Sequence, residues 1–469
     1  FYASTHINHT TPWWPYYGHL ADYISRVSAM LRRGRPVAEV AVYLPQADIY
    51  SDNMLSELHL AMRLEEHLGR SRMDAIQKAG YWFDYVNDEA LTRLGHACPG
   101  GFQIGENCYR AIVLVGCTRL PVETARALKE FAQAGGLLIA AGNRPEEACG
   151  LMDYDAKRAQ VRRAMDEAFA CENALVTADG DASLIQALHT RLTPDVTVSS
   201  PEQVGYVHRA DGADHLYFLA NISDDPRRER VLFRDRTEAC RVFATVARAG
   251  EKELREIPFL REQTEAGAAL TIPMAAHESC FVVFSPEFAE AQQAPEQSAH
   301  PRRLPLENWT LEIPERKLTF RMAELRSWEQ LPGLSDFSGE GVYRTRFTLE
   351  QVPDCAEICL SQLSCACAVW VNGVHAGDIW THPLRCRVES LLREGENTLE
   401  IRAASTLVNE MRTGDPDGWR HHDAVLPEWP YYGKVIDNQL KVRMNTHREH
   451  DEQTQPLPSG VWGPVWLED

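Results

Sequence analysis

Apolar residues recur along the chain with two periods, one typical of helices and the other of strands. Near the amino end, one helix face is marked by Leu20, Tyr23, Ile24, Val27, Met30 and Leu31. Gly34 and Pro36 follow and predict the end of this helix, because neither residue continues a helix readily.

Short runs of consecutive apolar residues predict buried strands of a parallel sheet. They span residues 37–44, 110–116 and 136–142, with a further strand at 81–85. Between the runs at 110–116 and 136–142, a helix is predicted from Pro121 to Gly135, which gives a right-handed β-α-β unit. Helices expected at 54–69 and 157–170 would cover the faces of this open α/β domain.

Beyond Pro194 the pattern changes to short strands separated by turn residues. A hairpin is predicted around Asp211-Gly212, and we expect a small β-sandwich over residues 194–288. Residues 289–307 are polar and contain prolines, which predicts a linker. From residue 308 onward, alternating apolar and polar residues and an Asn372-Gly373 turn favour a jelly roll.

Charge narrows the classes of function. The chain has 469 residues, with 48 Lys and Arg against 67 Asp and Glu, and a formal net charge of −19. An acidic field repels nucleic-acid phosphates and anionic lipid heads, so we expect neither nucleic acid nor a membrane as a partner. The apolar runs are also far shorter than the ~18 residues of a membrane span. No glycine-rich nucleotide motif opens a helix after a strand, so no nucleotide cofactor is expected.

The cysteines number twelve and indicate a reducing compartment, since several fall in apolar stretches where free thiols pack. We therefore expect a cytoplasmic protein, or a periplasmic or secreted one if a signal peptide precedes the chain. No C-x-x-C pair is present, which argues against a structural zinc site. Cys117 lies between a strand and a helix start, so a reactive thiolate is one interpretation and a buried inert thiol the other.

The amino-terminal segment concentrates residues that suit sugar recognition. Its candidate binding residues are His6, Asn8, His9, Trp13 and Trp14. Aromatic rings cover the C–H faces of a pyranose, while imidazoles and amides bond its hydroxyls. Packing of the tryptophans against a neighbouring element is the alternative interpretation. No Asp or Glu occurs between Phe1 and Ala21, so this segment lacks the two carboxylates that glycoside hydrolysis normally uses.

A second group of aromatic and imidazole side chains lies in loop-like sequence near the carboxyl end. The candidate accessory sugar-binding residues of this group are Trp380, His382, Trp419 and Trp429. Asp415, Asp417 and Asp423 lie among them, so calcium is the one metal left open, although their spacing is not that of an EF-hand. Aromatic residues that cap the sandwich are the alternative interpretation.

Several motifs together resemble glycoside hydrolase family 106, the α-L-rhamnosidases. At the amino end these motifs are Thr5-His6-Ile7-Asn8-His9-Thr10-Thr11-Pro12-Trp13-Trp14 and the run from Arg35 to Leu44. Toward the carboxyl end they are Gly341-Val342-Tyr343-Arg344, Val369-Trp370-Val371-Asn372-Gly373, Gly395 to Ile401 and Ser459 to Val465. The carboxyl-terminal motifs are also similar to the sugar-binding domain of family 2 hydrolases. The chain departs from the family at Asn409-Glu410-Met411-Arg412, where the family usually has Asn-Arg.

The resemblance implies a multidomain fold, α/β plus all-β. Its expected parts are the terminal strand-loop-helix of a (β/α)8 barrel at 1–36, a flavodoxin- or glutamine-amidotransferase-like α/β domain at 37–193, a β-sandwich at 194–288, a linker at 289–307 and a galactose-binding-like jelly roll at 308–469. The family's catalytic glutamates would lie on barrel strands upstream of Phe1, so the resemblance implies no catalytic residue in this chain. An upstream barrel segment would be its partner, and the five residues of the amino-terminal segment would line the substrate pocket.

Three functions stay open. The first is hydrolysis of terminal sugars from plant or microbial glycans when the chain is joined to its upstream barrel, with the chain inactive alone. The second is a non-catalytic carbohydrate-binding or scaffold module. The third is a β-galactosidase-like relative, since fold does not fix substrate. Upstream sequence with two barrel carboxylates would favour the enzyme, and a start codon near Phe1 would favour the binding module.

Overall fold

The computed structural model describes most of the chain and divides it into two compact units. It describes residues 9, 11–51, 60–235, 239–247, 249, 255–288, 302–407, 409–410 and 456–469. One unit, here called the α/β unit, comprises residues 28–244 and 256–295, and the other, here called the β unit, comprises residues 1–27, 245–255 and 296–469. Within the described ranges, no helix is both long and apolar enough to cross a membrane.

Helices and strands follow an order that separates a mixed region from an all-strand region. The helices are α1 (Tyr17–Leu31), α2 (Gln46–Ser51), α3 (Leu60–Leu68), α4 (Arg70–Lys78), α5 (Val122–Gln133), α6 (Tyr154–Phe169) and α7 (Asp181–His189). The strands up to residue 288 are β1 (Arg35–Pro36), β2 (Val40–Tyr43), β3 (Phe83–Val86), β4 (Gly95–Cys98), β5 (Gly101–Ile104), β6 (Asn107–Tyr109), β7 (Ala111–Val115), β8 (Arg119–Leu120), β9 (Leu137–Ala141), β10 (Glu147–Ala148), β11 (Ala174–Thr177), β12 (Val196–Val198), β13 (Val204–Asp211), β14 (Asp214–Asn221), β15 (Arg227–Phe233), β16 (Cys240–Ala244), β17 (Leu260–Thr264), β18 (Gly267–Met274) and β19 (Ser279–Phe284). The strands after residue 302 are β20 (Arg303–Leu306), β21 (Trp309–Ile313), β22 (Leu318–Met322), β23 (Glu340–Leu349), β24 (Glu357–Leu363), β25 (Ala366–Val371), β26 (Val374–Ile379), β27 (Arg385–Arg387), β28 (Gly395–Ala404) and β29 (Val461–Glu468).

A five-stranded parallel sheet, in the order β11-β9-β7-β2-β3, forms the centre of the α/β unit. Successive residues of β7 alternate between two hydrophobic clusters: Ile112 and Leu114 join one, and Val113 and Val115 join the other. Because side chains alternate across a strand, the two clusters cover opposite faces of the sheet. Every residue of β2, β7 and β9 is therefore buried. The predicted β-α-β unit is confirmed, with β7, α5 and β9 in that order.

A small antiparallel sheet, β4-β5-β6, is absent from the sequence-based prediction. Its strands are only three or four residues long, and the connection from β4 to β5 passes through Gly100 at a φ of 73°. Phe102 anchors the sheet, because its buried ring meets Phe131 of α5 at 6.2 Å between centroids. One anchoring ring in so short a segment gives no recognisable period.

Two antiparallel sheets complete the α/β unit, in the orders β1-β13-β14-β19-β16 and β12-β15-β18-β17. Both sheets contribute to one cluster, in which Phe233 meets the rings of Tyr217 and Phe284 at 4.7 and 5.2 Å between centroids. The predicted hairpin is confirmed, since Asp211 pairs with Asp214 across a turn that holds Gly212 at a φ of 64°.

Two further antiparallel sheets form the core of the β unit, in the orders β20-β29-β24-β27 and β22-β21-β23-β28-β25-β26. They share one large hydrophobic cluster. Within it, the indole Nε1 of Trp328 donates to the Tyr343 hydroxyl at 2.6 Å, so both buried polar atoms are satisfied. The predicted turn between β25 and β26 is confirmed, with Asn372 at a φ of 52° and Gly373 at 80°.

Part of the predicted linker is a strand. The linker prediction is wrong for residues 303–306, which form β20 and pair with β29 at the edge of their sheet. Pro305 fits this position because an edge strand can leave one backbone nitrogen unpaired. Residues 289–301 of the predicted linker lie outside the described residues. A polar segment with a proline is therefore typical of an edge strand as well as of a linker.

The predicted amino-terminal helix is confirmed as α1, which ends shortly before Gly34 at a φ of 53°. None of its residues is fully buried, and Ile24 is 50% exposed. The apolar spacing thus predicts the helix correctly, but its depth of burial is less than a core helix would show.

All twelve cysteines are free thiols. Cys359, Cys367 and Cys386 are buried, as their apolar surroundings in the sequence indicate. Burial raises the pKa of Cys386 to about 12 and that of the half-buried Cys365 to about 11. These thiols therefore stay protonated at neutral pH and pack as small apolar side chains.

Candidate functional site

Three of the five predicted residues of the amino-terminal segment fall among the described residues. His9 is exposed in a turn, while Trp13 and Trp14 lie where that segment enters α1. The entry is a single 3-10 turn over residues 14–16, stabilised by a hydrogen bond from the Trp14 nitrogen to the Thr11 carbonyl oxygen at 3.0 Å. His6 and Asn8 lie outside the described residues.

Trp13 and Tyr16 fix this entry to the β unit. Tyr16 is buried with Ala366 and Ala404, and Trp13 packs against this small cluster. The Tyr16 hydroxyl donates to the Arg402 carbonyl oxygen at 3.0 Å, and burial raises its pKa above the usual range. The packing interpretation therefore holds for Trp13.

Trp14 is not part of this cluster and is 39% exposed. Its ring stacks on Tyr17 with 5.1 Å between centroids and only 7° between planes. Tyr17 also meets Trp13 at 6.2 Å, so the three rings form a continuous group. An exposed Trp14 ring supported by the partly buried Tyr17 ring is suited to stacking against the apolar face of a ligand.

Trp380 extends this group, since it packs against the same cluster as Trp13. His19 lies parallel to the Trp380 ring at 6.4 Å between centroids, and Tyr23 meets it edge-on at 6.0 Å. We call the set Trp13, Trp14, Tyr17, His19, Tyr23 and Trp380 the aromatic face.

Asp378 of β26 supplies a carboxylate at this face, and imidazoles engage both of its oxygens. The Nε2 atom of His19 lies 2.8 Å from Oδ2, and the Nε2 atom of His375 lies 2.8 Å from Oδ1. A carboxylate held in this way orients the imidazoles and is poorly placed to act as a nucleophile or general acid. The chemistry that this arrangement supports is binding.

Of the four predicted accessory residues, two are described by the structure and two are not. Trp380 belongs to the aromatic face, and His382 lies in the bend just after it, next to a cis bond with Pro383. Trp419 and Trp429 lie outside the described residues. The structure therefore brings Trp13, Trp14 and Trp380 together, although the sequence-based prediction assigned them to separate sites.

Sequence reasoning did not select Tyr23, His375 or Asp378 for this site. Tyr16, His19 and Tyr23 are spaced three and four residues apart, which places them on one face of a helix. That spacing was a usable signal for Tyr23. The role of Asp378 had no such signal, because its partner His19 is 359 residues away in sequence.

The described residues hold one cluster with a metal-ligand composition, Glu357, Cys359 and Glu468. Arg385 lies 3.3 Å from Glu357 and also contacts Glu468, and Arg303 lies 2.9 Å from Glu468. Burial raises the pKa of Cys359 to about 12, so its sulfur stays protonated. The cluster is thus an ion-pair network. The aspartates predicted to hold calcium, Asp415, Asp417 and Asp423, lie outside the described residues.

Cys117 follows β7 and is fully buried. Burial raises its pKa well above the usual range, and the nearby Asp48 carboxylate raises it further. Its sulfur lies 3.5 Å from the Arg119 carbonyl oxygen. These contacts favour the inert thiol over the reactive thiolate.

Comparison with known proteins relates the chain to one family. The sequence model of glycoside hydrolase family 106, described as alpha-L-rhamnosidase, matches residues 2–251. A protein from Formosa agariphila, provisionally named a beta-glucuronidase, is 24% identical over 318 residues, which cover 66% of this chain and 24% of that protein. The structure of a rhamnosidase from Novosphingobium sp. PP1Y superposes with a TM-score of 0.66 and 22% identity, covering 99% of this chain and 42% of that one. At this identity the similarity bears on the fold alone. The chain spans less than half the length of either relative.

Proposed function

Because the chain belongs to glycoside hydrolase family 106, the α-L-rhamnosidases, we propose that it forms the saccharide-binding side of such an enzyme. In this proposal it acts with an upstream barrel segment in removing terminal sugars from plant or microbial glycans. The family resemblance found in the sequence is confirmed by the match over residues 2–251. The sugar, the linkage and the barrel are parts of the proposal.

The observation that carries the proposal is the aromatic face. Trp14 is exposed and stacked on Tyr17, while Trp13 and Tyr16 anchor the same segment in the interior of the β unit. An exposed ring on a fixed base offers contact area without a large loss of conformational freedom on binding. The apolar face of a deoxy sugar such as rhamnose would stack well on such a ring.

The same contacts support the assignment of catalysis to the upstream segment. Within the part of the chain that the structure describes, the Asp378 carboxylate contacts the aromatic face, and His19 and His375 lie against its two oxygens. Hydrolysis of a glycoside needs two carboxyl groups about 5–9.5 Å apart, on either side of the bond that breaks. In our proposal α1 is the closing helix of the barrel, the barrel strands carry that pair, and the sheets after residue 302 form a galactose-binding-like jelly roll.

The assignment of binding residues extends the predictions from sequence. We propose that His6, Asn8, His9, Trp13 and Trp14 line the substrate pocket of the complete enzyme, with Trp13 acting mainly as the support of Trp14. Trp380 belongs to this pocket in our proposal, and His382, Trp419 and Trp429 form an accessory sugar-binding group. The free cysteines support a reducing, cytoplasmic compartment.

Calorimetric titration of the chain with methyl α-L-rhamnoside tests the proposal. We expect Trp14→Ala to weaken binding about tenfold, the loss expected when a stacked ring is removed. The matched control is Tyr85→Ala, which removes an aromatic ring that is 52% exposed in the α/β unit and should leave binding unchanged. Equal affinities for wild type and Trp14→Ala would contradict the proposal.

A non-catalytic carbohydrate-binding module is the second candidate. Both oxygens of Asp378 contact imidazoles, and this observation favours the binding module as much as it favours the binding side of a glycosidase. The two candidates differ in the behaviour of longer forms of the protein. A longer form that cleaves an aryl α-L-rhamnoside supports the enzyme. Cleavage of an aryl β-galactoside instead would support a β-galactosidase-like relative.

A further inference from the structure

A cavity of about 620 Å3 lies within the α/β unit, apart from the residues of the aromatic face. One wall comes from the segments that precede two parallel strands, with Glu39 before β2 and Arg110 before β7. The facing wall comes from the hairpin of β13 and β14, with His208 and His215. The volume falls within the ~300–1,000 Å3 that is common for small-molecule sites.

The floor of the cavity is a closed network of charged side chains. The Arg234 Nη1 atom lies 2.6 Å from Glu39, and its Nη2 atom lies 3.6 Å from Asp195. Asp195 also accepts from the Nδ1 atom of His208 at 2.7 Å, and both of these side chains are nearly fully buried. The Tyr217 ring covers His208 at 3.9 Å between centroids. Each floor charge therefore has an opposite partner, so the floor is fixed and attracts neither cations nor anions strongly.

The hydrogen-bond chain leaves one acceptor for a ligand. Because a carboxylate only accepts, the contact with Asp195 places the His208 proton on Nδ1. When both imidazoles are neutral, the Nε2 atom of His208 accepts from Nδ1 of His215 at 2.8 Å. This assigns the lone pair of His215 to its Nε2 atom, which has no hydrogen-bond partner among the described residues. A hydroxyl group can donate to that nitrogen.

The rim adds a donor and a second acceptor. Arg35 and Glu106 are exposed and line the cavity. Neither forms a salt bridge with any residue in the described part of the chain. Arg35 offers a fork of N–H donors, and Glu106 offers two carboxylate oxygens. A ligand in the cavity thus meets a strong donor and a strong acceptor among the lining side chains.

We propose that this cavity binds a neutral saccharide of one or two rings. The hydroxyls of a sugar both donate and accept, so Arg35, Glu106 and the Nε2 atom of His215 each offer them a matching partner. Three guanidinium groups and four carboxylates line the cavity, a near balance that favours a neutral ligand over an anion or a cation. This site is additional to the aromatic face and does not depend on it.

Saturation-transfer NMR and calorimetry on the 469-residue chain test the proposal with four probes. These probes are methyl α-L-rhamnoside, maltose, alanine as a zwitterion and inorganic phosphate. We expect a saccharide to bind, and we expect Arg35→Gln and Glu106→Gln each to weaken that binding about tenfold, as when a charge-assisted hydrogen bond is lost. Matched controls are Arg228→Gln and Glu172→Gln, which neutralise exposed residues away from the cavity lining and should leave the affinity unchanged.

The variants also separate this site from the aromatic face. Trp14→Ala should not change the part of saccharide binding that Arg35→Gln and Glu106→Gln weaken. It can still change saccharide binding at the aromatic face. The proposal is overturned if neither saccharide binds, if saccharide binding is the same in wild type and both cavity variants, or if the cavity variants affect only alanine or phosphate.

Discussion

The aromatic face and the cavity use polar groups in opposite ways. At the aromatic face, the Trp14 ring is exposed, the other rings are partly buried, and two imidazoles contact both oxygens of the Asp378 carboxylate. In the cavity, Glu39, Asp195 and Arg234 form a network of paired charges, while Arg35 and Glu106 are exposed. The first region depends on contact area and the second on hydrogen-bond geometry. A substitution that removes a ring should therefore affect one region alone, and one that removes a charge should affect the other.

The largest effect is expected when the floor of the cavity is broken by Asp195→Asn. This change removes the carboxylate charge that faces His208 at 2.7 Å and Arg234 at 3.6 Å in a buried position. We expect the free energy of unfolding to fall by about 3 kcal/mol, measured by urea denaturation. Asp211→Asn is the control, because Asp211 pairs with Arg33 at the surface, and it should cost less than about 1 kcal/mol. Equal losses of unfolding free energy in the two variants would contradict the interpretation that the buried Asp195 charge fixes the floor.

The next effect distinguishes the two tryptophans of the aromatic face. Trp13→Ala removes a ring that packs on the cluster of Tyr16, Ala366 and Ala404, so we expect a loss of about 2 kcal/mol of stability. Trp14→Ala removes an exposed ring and should change stability by no more than about 0.5 kcal/mol. Thermal denaturation of both variants gives the comparison. A greater loss of stability for Trp14→Ala than for Trp13→Ala would contradict the assignment of Trp13 as the support and Trp14 as the binding surface.

A smaller effect is expected from Tyr16→Phe, which keeps the ring and removes the hydroxyl. The hydrogen bond to the Arg402 carbonyl oxygen is 3.0 Å long and partly buried, so its loss should cost about 1 kcal/mol. Urea denaturation measures the change, with Tyr50→Phe as a control at a ring that is 66% exposed. No loss in Tyr16→Phe would show that packing alone holds the segment.

The smallest effect concerns pH and the cavity. Burial lowers the pKa of His215 from its usual 6.5. Below about pH 6.5 the unfolded chain takes up a proton at this imidazole before the folded chain does, so acidification destabilises the fold until the lower folded pKa is reached. We expect His215→Gln to lose less stability than wild type between about pH 7.5 and 5.5, measured by melting temperature. A larger loss in the variant would contradict this burial.

Segments with a strong local sequence pattern were predictable, because one physical rule determines the structure of each. Residues 110–116 form a buried strand since both faces of their sheet are covered, and Asn372-Gly373 forms a hairpin turn since both positions need a positive φ. The small sheet around Phe102 and the edge strand at 303–306 follow from individual tertiary contacts, which no local pattern shows.

The sequence predicted which types of residue form the candidate site, but not which residues contact one another there. The sequence pointed to Trp13, Trp14 and Trp380, because aromatic density is visible along the chain. It did not show that Trp13 and Trp380 pack on one cluster, nor that His19 would meet Asp378. The cavity draws its lining from strands in two different sheets, so its residues are scattered through the sequence.

The most direct test of the central claim is an assay of aryl α-L-rhamnoside hydrolysis, run in parallel on this chain and on a longer form that includes upstream sequence. We expect turnover by the longer form only, and we expect Trp14→Ala in that form to raise KM about tenfold. Turnover by this chain alone, at a rate comparable with that of the longer form, would contradict the proposed function, because it would place the catalytic carboxylates within these 469 residues.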